Sequence, residues 1–158
     1  MIPPYLLLRV ILEWTGSVGF ALLAGGILGR GFCLRRLLTV REARMVQATD
    51  KLFWIGAVVL VAPRLLLVFS NAGMGRWFYL SNPYQIAQIL LLALVLGLDV
   101  WPARRFGSWA RHLDLDQIPY HTDAVHDRMK LLWWIQVAGL LALPLFDPLV
   151  RMGFGLSR

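Results

Sequence analysis

Residues 58–69 read VVLVAPRLLLVF, an aliphatic run with a proline and an arginine, Pro63 and Arg64, at its centre. The meaning of this run depends on the solvent around it, and the composition identifies that solvent. Of the 158 residues, 58% are hydrophobic and only 16% are charged, and the mean hydropathy is +0.62. Soluble proteins do not have such a composition, so the run is predicted to cross a membrane.

Four stretches are long and apolar enough to cross a bilayer, since a spanning helix needs about 20 mostly apolar residues that rise about 1.5 Å each. We place them at about residues 5–28, 51–70, 83–101 and 130–150. No low-complexity linker or short repeat separates them. The predicted fold is all-α, with four transmembrane helices in one bundle that forms a single domain over residues 1–158.

The basic residues predict the orientation of the chain. Eleven of the sixteen lie in or beside the first and third connections: Arg30, Arg35, Arg36, Arg41, Arg44, Lys51, Arg104, Arg105, Arg111, Arg128 and Lys130. By the positive-inside rule these connections face the cytoplasm, and both termini lie on the non-cytoplasmic side. The net charge of +7 is thus explained without a nucleic-acid partner. We expect a multi-pass protein of the bacterial inner membrane.

Local signals mark the starts of three helices. Thr39 and Glu42 form a T-x-x-E capping box, which predicts a helix that continues into the second span. Asn82 before Pro83 is typical of an N-cap followed by proline at the first helical position. Thr122 is a candidate cap for the fourth helix.

Tryptophans cluster near the predicted membrane interfaces, at Trp54, Trp77, Trp101 and Trp109. An aromatic belt is the simplest explanation, because amphipathic rings favour the headgroup depth. Stacking on a lipid, quinone or pigment ring is the alternative. Trp101 and Pro102 are predicted to end the third span.

Small residues recur in the first span, TGSVGFALLAGGILG, which includes Gly16, Gly19, Gly25 and Gly29. Small residues allow helix backbones to approach closely in lipid. We predict helix packing at these glycines, within the bundle in preference to contact with another subunit.

Polar residues from three spans fall at similar depth. Arg64 lies roughly 9 Å from the outer end of span two and Glu13 roughly 12 Å from the outer start of span one, at about 1.5 Å per residue. Gln88 lies near the outer start of span three, and Arg9 is one turn before Glu13. A charge inside a span normally faces the bundle interior and finds a partner. We therefore predict an intramembrane polar cluster of Arg9, Glu13, Arg64 and Gln88.

Three interpretations of this cluster remain open. An ion pair that fixes the helix arrangement is favoured over a site for an anionic or redox ligand, and a contact with another subunit is the third. Pro63 is expected to kink its helix, which could shape a site or simply vary the packing.

All three histidines fall within residues 112–127. His121, Asp123, His126 and Asp127 match no established ligand spacing, so no metal site is predicted. A solvated loop that leads into a capped helix explains them better. No histidine lies in the predicted spans, which argues against bis-histidine ligation of haem in the bilayer. No catalytic triad, phosphate-binding glycine loop or zincin motif is present, and an enzyme is not favoured.

Two stretches, LTVREARMVQATDKLFWIGAVVLVAPR and GRWFYLSNPYQIAQILLLALVLGLDVWP, resemble the predicted bacterial membrane proteins of the family called domain of unknown function 2214. The most specific matches are Asp50 with the following aromatic and glycine run, Tyr79-Leu80-x-Asn82-Pro83, and Pro102. The resemblance implies a four-span layout, distantly similar to copper-resistance membrane proteins and to the four-helix protoporphyrinogen oxidase.

The chain departs from this family at its polar positions. It has Glu13 and Trp14 where such proteins tend to carry histidine, and Gln88 where many carry lysine. Arg64 is displaced from the usual arginine of span two. A haem, porphyrin or metal function of relatives would therefore not transfer to these positions.

The sequence favours a non-catalytic accessory or structural subunit of a larger membrane complex, such as a respiratory or photosynthetic electron-transfer assembly. A haem-, porphyrin- or quinone-binding redox protein is the alternative, and a small-solute transporter has less support because no broken helix pair or inverted repeat is evident. The expected partners are membrane lipids and other integral membrane subunits. Haem, pigment or quinone are the candidate cofactors, and none is required.

Overall fold

The computed structural model describes residues 4–34, 39–69, 81–115, 117 and 122–151. It contains four helices, α1 (Pro4–Cys33), α2 (Val40–Phe69), α3 (Pro83–Asp114) and α4 (Asp123–Arg151). Each is long and apolar enough to cross a membrane, and the described ranges hold no strand. The predicted all-α fold with four spanning helices is confirmed.

Three of the helices extend well beyond the predicted spans. Helix α2 begins at Val40 rather than near residue 51, α3 ends at Asp114 rather than near 101, and α4 begins at Asp123 rather than near 130. Although the third span was predicted to end at Trp101 and Pro102, helix α3 continues past Pro102. Residues beyond it are buried in a cluster with α2 and α4, and this burial offsets the backbone hydrogen bond that proline cannot make.

The predicted helix starts are confirmed by their hydrogen bonds. The Glu42 N–H donates to Thr39 Oγ1 at 3.2 Å, and the Thr39 N–H donates back to Glu42 Oε2 at 2.9 Å. Asn82 Oδ1 accepts from the N–H groups of Tyr84 and Gln85. Thr122 Oγ1 accepts from a backbone N–H one turn into α4, at 3.4 Å.

Helices α1 and α2 form an antiparallel hairpin with close backbone contact. A Cβ at Gly26 would lie 2.6 Å from the backbone nitrogen of Phe53. A Cβ at Gly19 would meet the backbone of Leu60, and one at Gly56 would meet the backbone of Leu23. The close approach requires glycine at these positions, because any larger residue would force the helices apart.

The other predicted packing glycines make weaker contacts. A Cβ at Gly29 would lie 2.8 Å from the side chain of Thr49, and one at Gly25 would be at an ordinary 3.7 Å from Leu52. A Cβ at Gly16 would have no neighbour within 4 Å. Gly16 is buried next to an open space that a methyl group could occupy.

The buried apolar side chains form two clusters. The larger lies at mid-length between all four helices and includes Leu23, Phe53, Leu60, Val95 and Leu140. The second lies at the end of the bundle where α1 meets α2 and α3 meets α4, called here the connection end, and is formed by Ala43, Val46, Phe106, Trp109, Leu113 and Met129. The opposite end, where α1 begins and α4 ends, is called the terminal end.

Two side chains expected at an interface or in solvent lie instead in the interior. Trp109 is 5% exposed and packs edge-on against Phe106, so it belongs to the buried cluster. His126 is 7% exposed, because α4 already begins at Asp123 and places it on the face of Met129, three residues on. Trp77 and His121 lie outside the described residues.

Candidate functional site

A cavity of about 290 Å³ opens at the terminal end between the α1–α2 and α3–α4 hairpins. Side chains from all four helices line it. Its polar wall consists of Arg9, Glu13, Ser17, Arg64, Gln85, Gln88 and Asp147, and its apolar wall includes Phe20, Leu60, Leu67, Leu92 and Leu143. We call it the terminal cavity.

The structure brings Arg9, Glu13, Arg64 and Gln88, the polar cluster of the sequence analysis, to this one cavity. Arg9 Nε donates to Glu13 Oε1 at 3.0 Å, one turn apart on α1. Because α1 and α2 are antiparallel, the start of α1 and the end of α2 lie at the same depth. The shared depth of these residues follows from that arrangement.

Asp147 on α4 joins the cluster and was missed in the sequence. Gln88 Nε2 donates to Asp147 Oδ1 at 2.6 Å and is also 3.4 Å from the Leu143 carbonyl oxygen. The sequence LPLFDPLV indicates such a residue, because the carboxylate of Asp147 interrupts the end of an apolar run. The rule that singled out Arg64 applies equally there.

Arg64 is the side chain of the cavity with the most unused hydrogen-bonding capacity. Its side chain is 38% exposed, and Nη2 lies 3.8 Å from Asp147 Oδ1. It donates no hydrogen bond to any residue in the described ranges. A guanidinium has five N–H donors in a planar fork that fits carboxylate or phosphate oxygens, so Arg64 can bind an anionic group in the cavity.

A second polar group lies deep in the bundle and takes one residue from each helix: Arg30, Asp50, Asp99 and Gln136. We call it the Arg30 network. Arg30 Nη1 lies 3.0 Å from Asp50 Oδ1, and Nη2 lies 2.5 Å from Asp99 Oδ1. Gln136 Oε1 accepts from Arg30 Nη2, while Gln136 Nε2 donates to Asp99 Oδ1, each at 3.1 Å.

Aromatic rings enclose the Arg30 guanidinium. Its carbon lies 5.4 Å from the centroid of Phe53 and 5.6 Å from that of Phe106. Arg30 is only 3% exposed and Asp99 is fully buried, whereas the Asp50 side chain is 14% exposed. The network connects all four helices through side-chain contacts.

Sequence reasoning did not find the Arg30 network. Arg30 belongs to the basic residues that predict a cytoplasmic first connection, and Asp50 is distinctive only in the family resemblance. Asp99 interrupts the third span, LGLDVWP, which is the same signal that Arg64 gives. Gln136 carries no charge and gives no comparable signal.

The two remaining tryptophans of the predicted belt, Trp54 and Trp101, have different surroundings. Trp54 packs edge-on against Phe53 in the central cluster. Trp101 is half-buried, and the guanidinium carbons of Arg105 and Arg128 lie 5.6 Å and 4.8 Å from its ring centroid.

Within the described residues, no group of three or more His, Cys, Asp or Glu side chains could hold a metal ion.

The family model described as "Predicted membrane protein (DUF2214)" matches residues 8–155. The chain belongs to this family. The match covers nearly the whole chain and all four helices, and it agrees with a multi-pass membrane protein. No curated protein and no solved structure matches the chain.

Proposed function

We propose that this member of the DUF2214 family binds a small amphiphile in the terminal cavity, with an anionic head group held by Arg64. The observation that carries the proposal is the Arg64 guanidinium, which faces the cavity with its hydrogen-bond donors unused by the described residues. Asp147 lies within ion-pair distance of this guanidinium, but at 3.8 Å it leaves the N–H donors available to a second anionic group. The protein would reside in the bacterial inner membrane with the cavity on the outer side, as the positive-inside rule predicts.

The size and lining of the cavity favour one ligand class. A volume of about 290 Å³ is near the lower limit of the roughly 300–1,000 Å³ of small-molecule sites. That volume favours a head group or a single ring over a whole porphyrin. Among the described residues that line the cavity, none is a His, Cys or Met that could ligate a haem iron. An amphiphile with a carboxylate or phosphate head and an apolar tail matches both the polar and the apolar wall.

The proposal can be tested with a defined probe. Decanoate, a ten-carbon carboxylate, is expected to raise the melting temperature of the protein in lipid nanodiscs more than decanol does. Arg64→Gln should abolish the difference between the two. Arg105→Gln, which changes an exposed arginine at the connection end, should retain it. Equal shifts by decanoate and decanol in the unmodified protein would contradict the proposal.

A second candidate function is that of a non-catalytic accessory subunit of a larger membrane complex, which the outward face of α1 favours. Ala21 and Gly25 are exposed at the centre of this face, and Trp14 and Phe32 are 69% and 79% exposed at its ends. Exposed small residues flanked by large rings could receive a helix of another subunit. Ala21→Leu and Gly25→Leu would then release a co-purifying subunit, whereas exposed Leu90→Ala on α3 would not.

A further inference from the structure

The Arg30 network contains one cation and two carboxylates. Arg30 lies within 3.0 Å of an oxygen of each carboxyl group. Asp99 is fully buried, and the Asp50 side chain is 14% exposed. If both carboxyls were ionised, the network would carry a net charge of −1 in the interior of a membrane-spanning bundle. An unbalanced buried charge of this kind is strongly unfavourable.

The two oxygens of Asp99 differ sharply in their surroundings. Oδ1 accepts from both Arg30 and Gln136. Oδ2 is buried and accepts no hydrogen bond from any residue that the structure describes. A neutral hydroxyl at this position costs much less to bury than an anionic oxygen. The geometry therefore favours a protonated oxygen where the partner is missing.

No other described ionisable group contacts these carboxyls in a way that would balance the charge. On α1 the facing group is Arg30, and on α4 it is the uncharged Gln136. The exposed cations nearest in sequence are Lys51 on α2, Arg104 and Arg105 on α3, and Lys130 on α4. His126 lies ten residues before Gln136, or about 15 Å along α4 at about 1.5 Å per residue.

We propose that the Arg30 network is a proton-binding site, in which Asp50 and Asp99 together hold one proton. With that proton the network is neutral, as Arg30 is then balanced by a single carboxylate. The site is separate from the terminal cavity, since Asp99 lies eleven residues, or about 16 Å, along α3 from Gln88. It stands independently of the ligand proposed above.

Infrared spectroscopy of the purified protein tests this directly. A protonated carboxyl gives a carbonyl stretch that is distinct from the carboxylate bands and shifts on exchange into heavy water. We expect such a band in the unmodified protein, with an intensity of one group, and its loss in Asp50→Asn and in Asp99→Asn. Asp123→Asn, at the exposed start of α4, is the matched control and should keep the band.

Two variants, Asp50→Asn and Asp99→Asn, are tested because one of them could fail to fold. Loss of the band in either folded variant supports the site. Persistence of the band in both variants, or its absence from the unmodified protein, would overturn the proposal.

Discussion

At the scale of single residues, the spanning helices hold two polar groups with different characters. The terminal cavity is partly open, and its Arg64 is 38% exposed. The Arg30 network is mostly buried, and Gln136 links Arg30 to Asp99 within it. Because a buried ion pair is very sensitive to the loss of one partner, the two groups should respond differently to substitution.

Arg30→Gln is expected to destabilise the fold by about 3–5 kcal/mol, since it leaves buried carboxyls without their cation. The measurement is unfolding by sodium dodecyl sulfate in mixed micelles, followed by far-ultraviolet circular dichroism. Arg128→Gln is the control, because Arg128 is exposed and lies over the Trp101 ring. Equal stability of Arg30→Gln and the unmodified protein would show that the network has no structural role.

Depth along the spans was enough to predict that Arg9, Glu13, Arg64 and Gln88 would lie together. The partner of Gln88, Asp147, was not predicted, although it lies near the end of span four as Gln88 lies near the start of span three. Arg30 was missed for another reason. Its span was predicted to end at residue 28, whereas α1 continues to Cys33. Arg30 was therefore predicted to lie in a cytoplasmic connection, although it is buried within the bundle.

At the scale of the helices, hydropathy located every span but not the full length of the helices. Apolar runs report the part of a helix that faces lipid, while the ends of α2, α3 and α4 are amphipathic and bury their apolar face against each other. The capping residues predicted two of these extended starts more accurately than hydropathy did. Helix packing was predicted at Gly19, where α1 and α2 are in close contact, but not at Gly26 or Gly56.

Gly26→Ala is expected to destabilise the α1–α2 hairpin by about 1–3 kcal/mol, the usual cost of overpacking, because its Cβ would lie 2.6 Å from the Phe53 nitrogen. Gly16→Ala is the matched control on the same helix. It has open space and should be neutral or stabilising by up to about 1 kcal/mol, given the better helix propensity of alanine. The same unfolding titration measures both variants. The reverse order of stability would contradict the observed helix contact.

At the scale of the whole molecule, two polar layers are separated by an apolar one. The central cluster of Leu23, Phe53, Leu60, Val95 and Leu140 lies between the Arg30 network and the terminal cavity. The orientation of these layers in the membrane rests on the distribution of basic residues. That distribution predicts that the Arg30 network lies towards the cytoplasm and the terminal cavity towards the outside.

Cysteine labelling tests this orientation. In a Cys33→Ser background, Ser81→Cys at the terminal end should react with a membrane-impermeant maleimide in intact cells. Thr122→Cys at the connection end should react only after the membrane is permeabilised. Both positions are exposed, so the comparison is matched. The opposite pattern would place the connection end outside.

Native mass spectrometry of the protein, extracted from its own membrane in mild detergent, tests the ligand proposal most directly. We expect the chain to carry an adduct of amphiphile mass, which is retained in Arg128→Gln and lost in Arg64→Gln. An adduct that persists in Arg64→Gln would contradict a role for this arginine. A defined heteromeric mass without an adduct would contradict the ligand proposal and favour the accessory subunit instead.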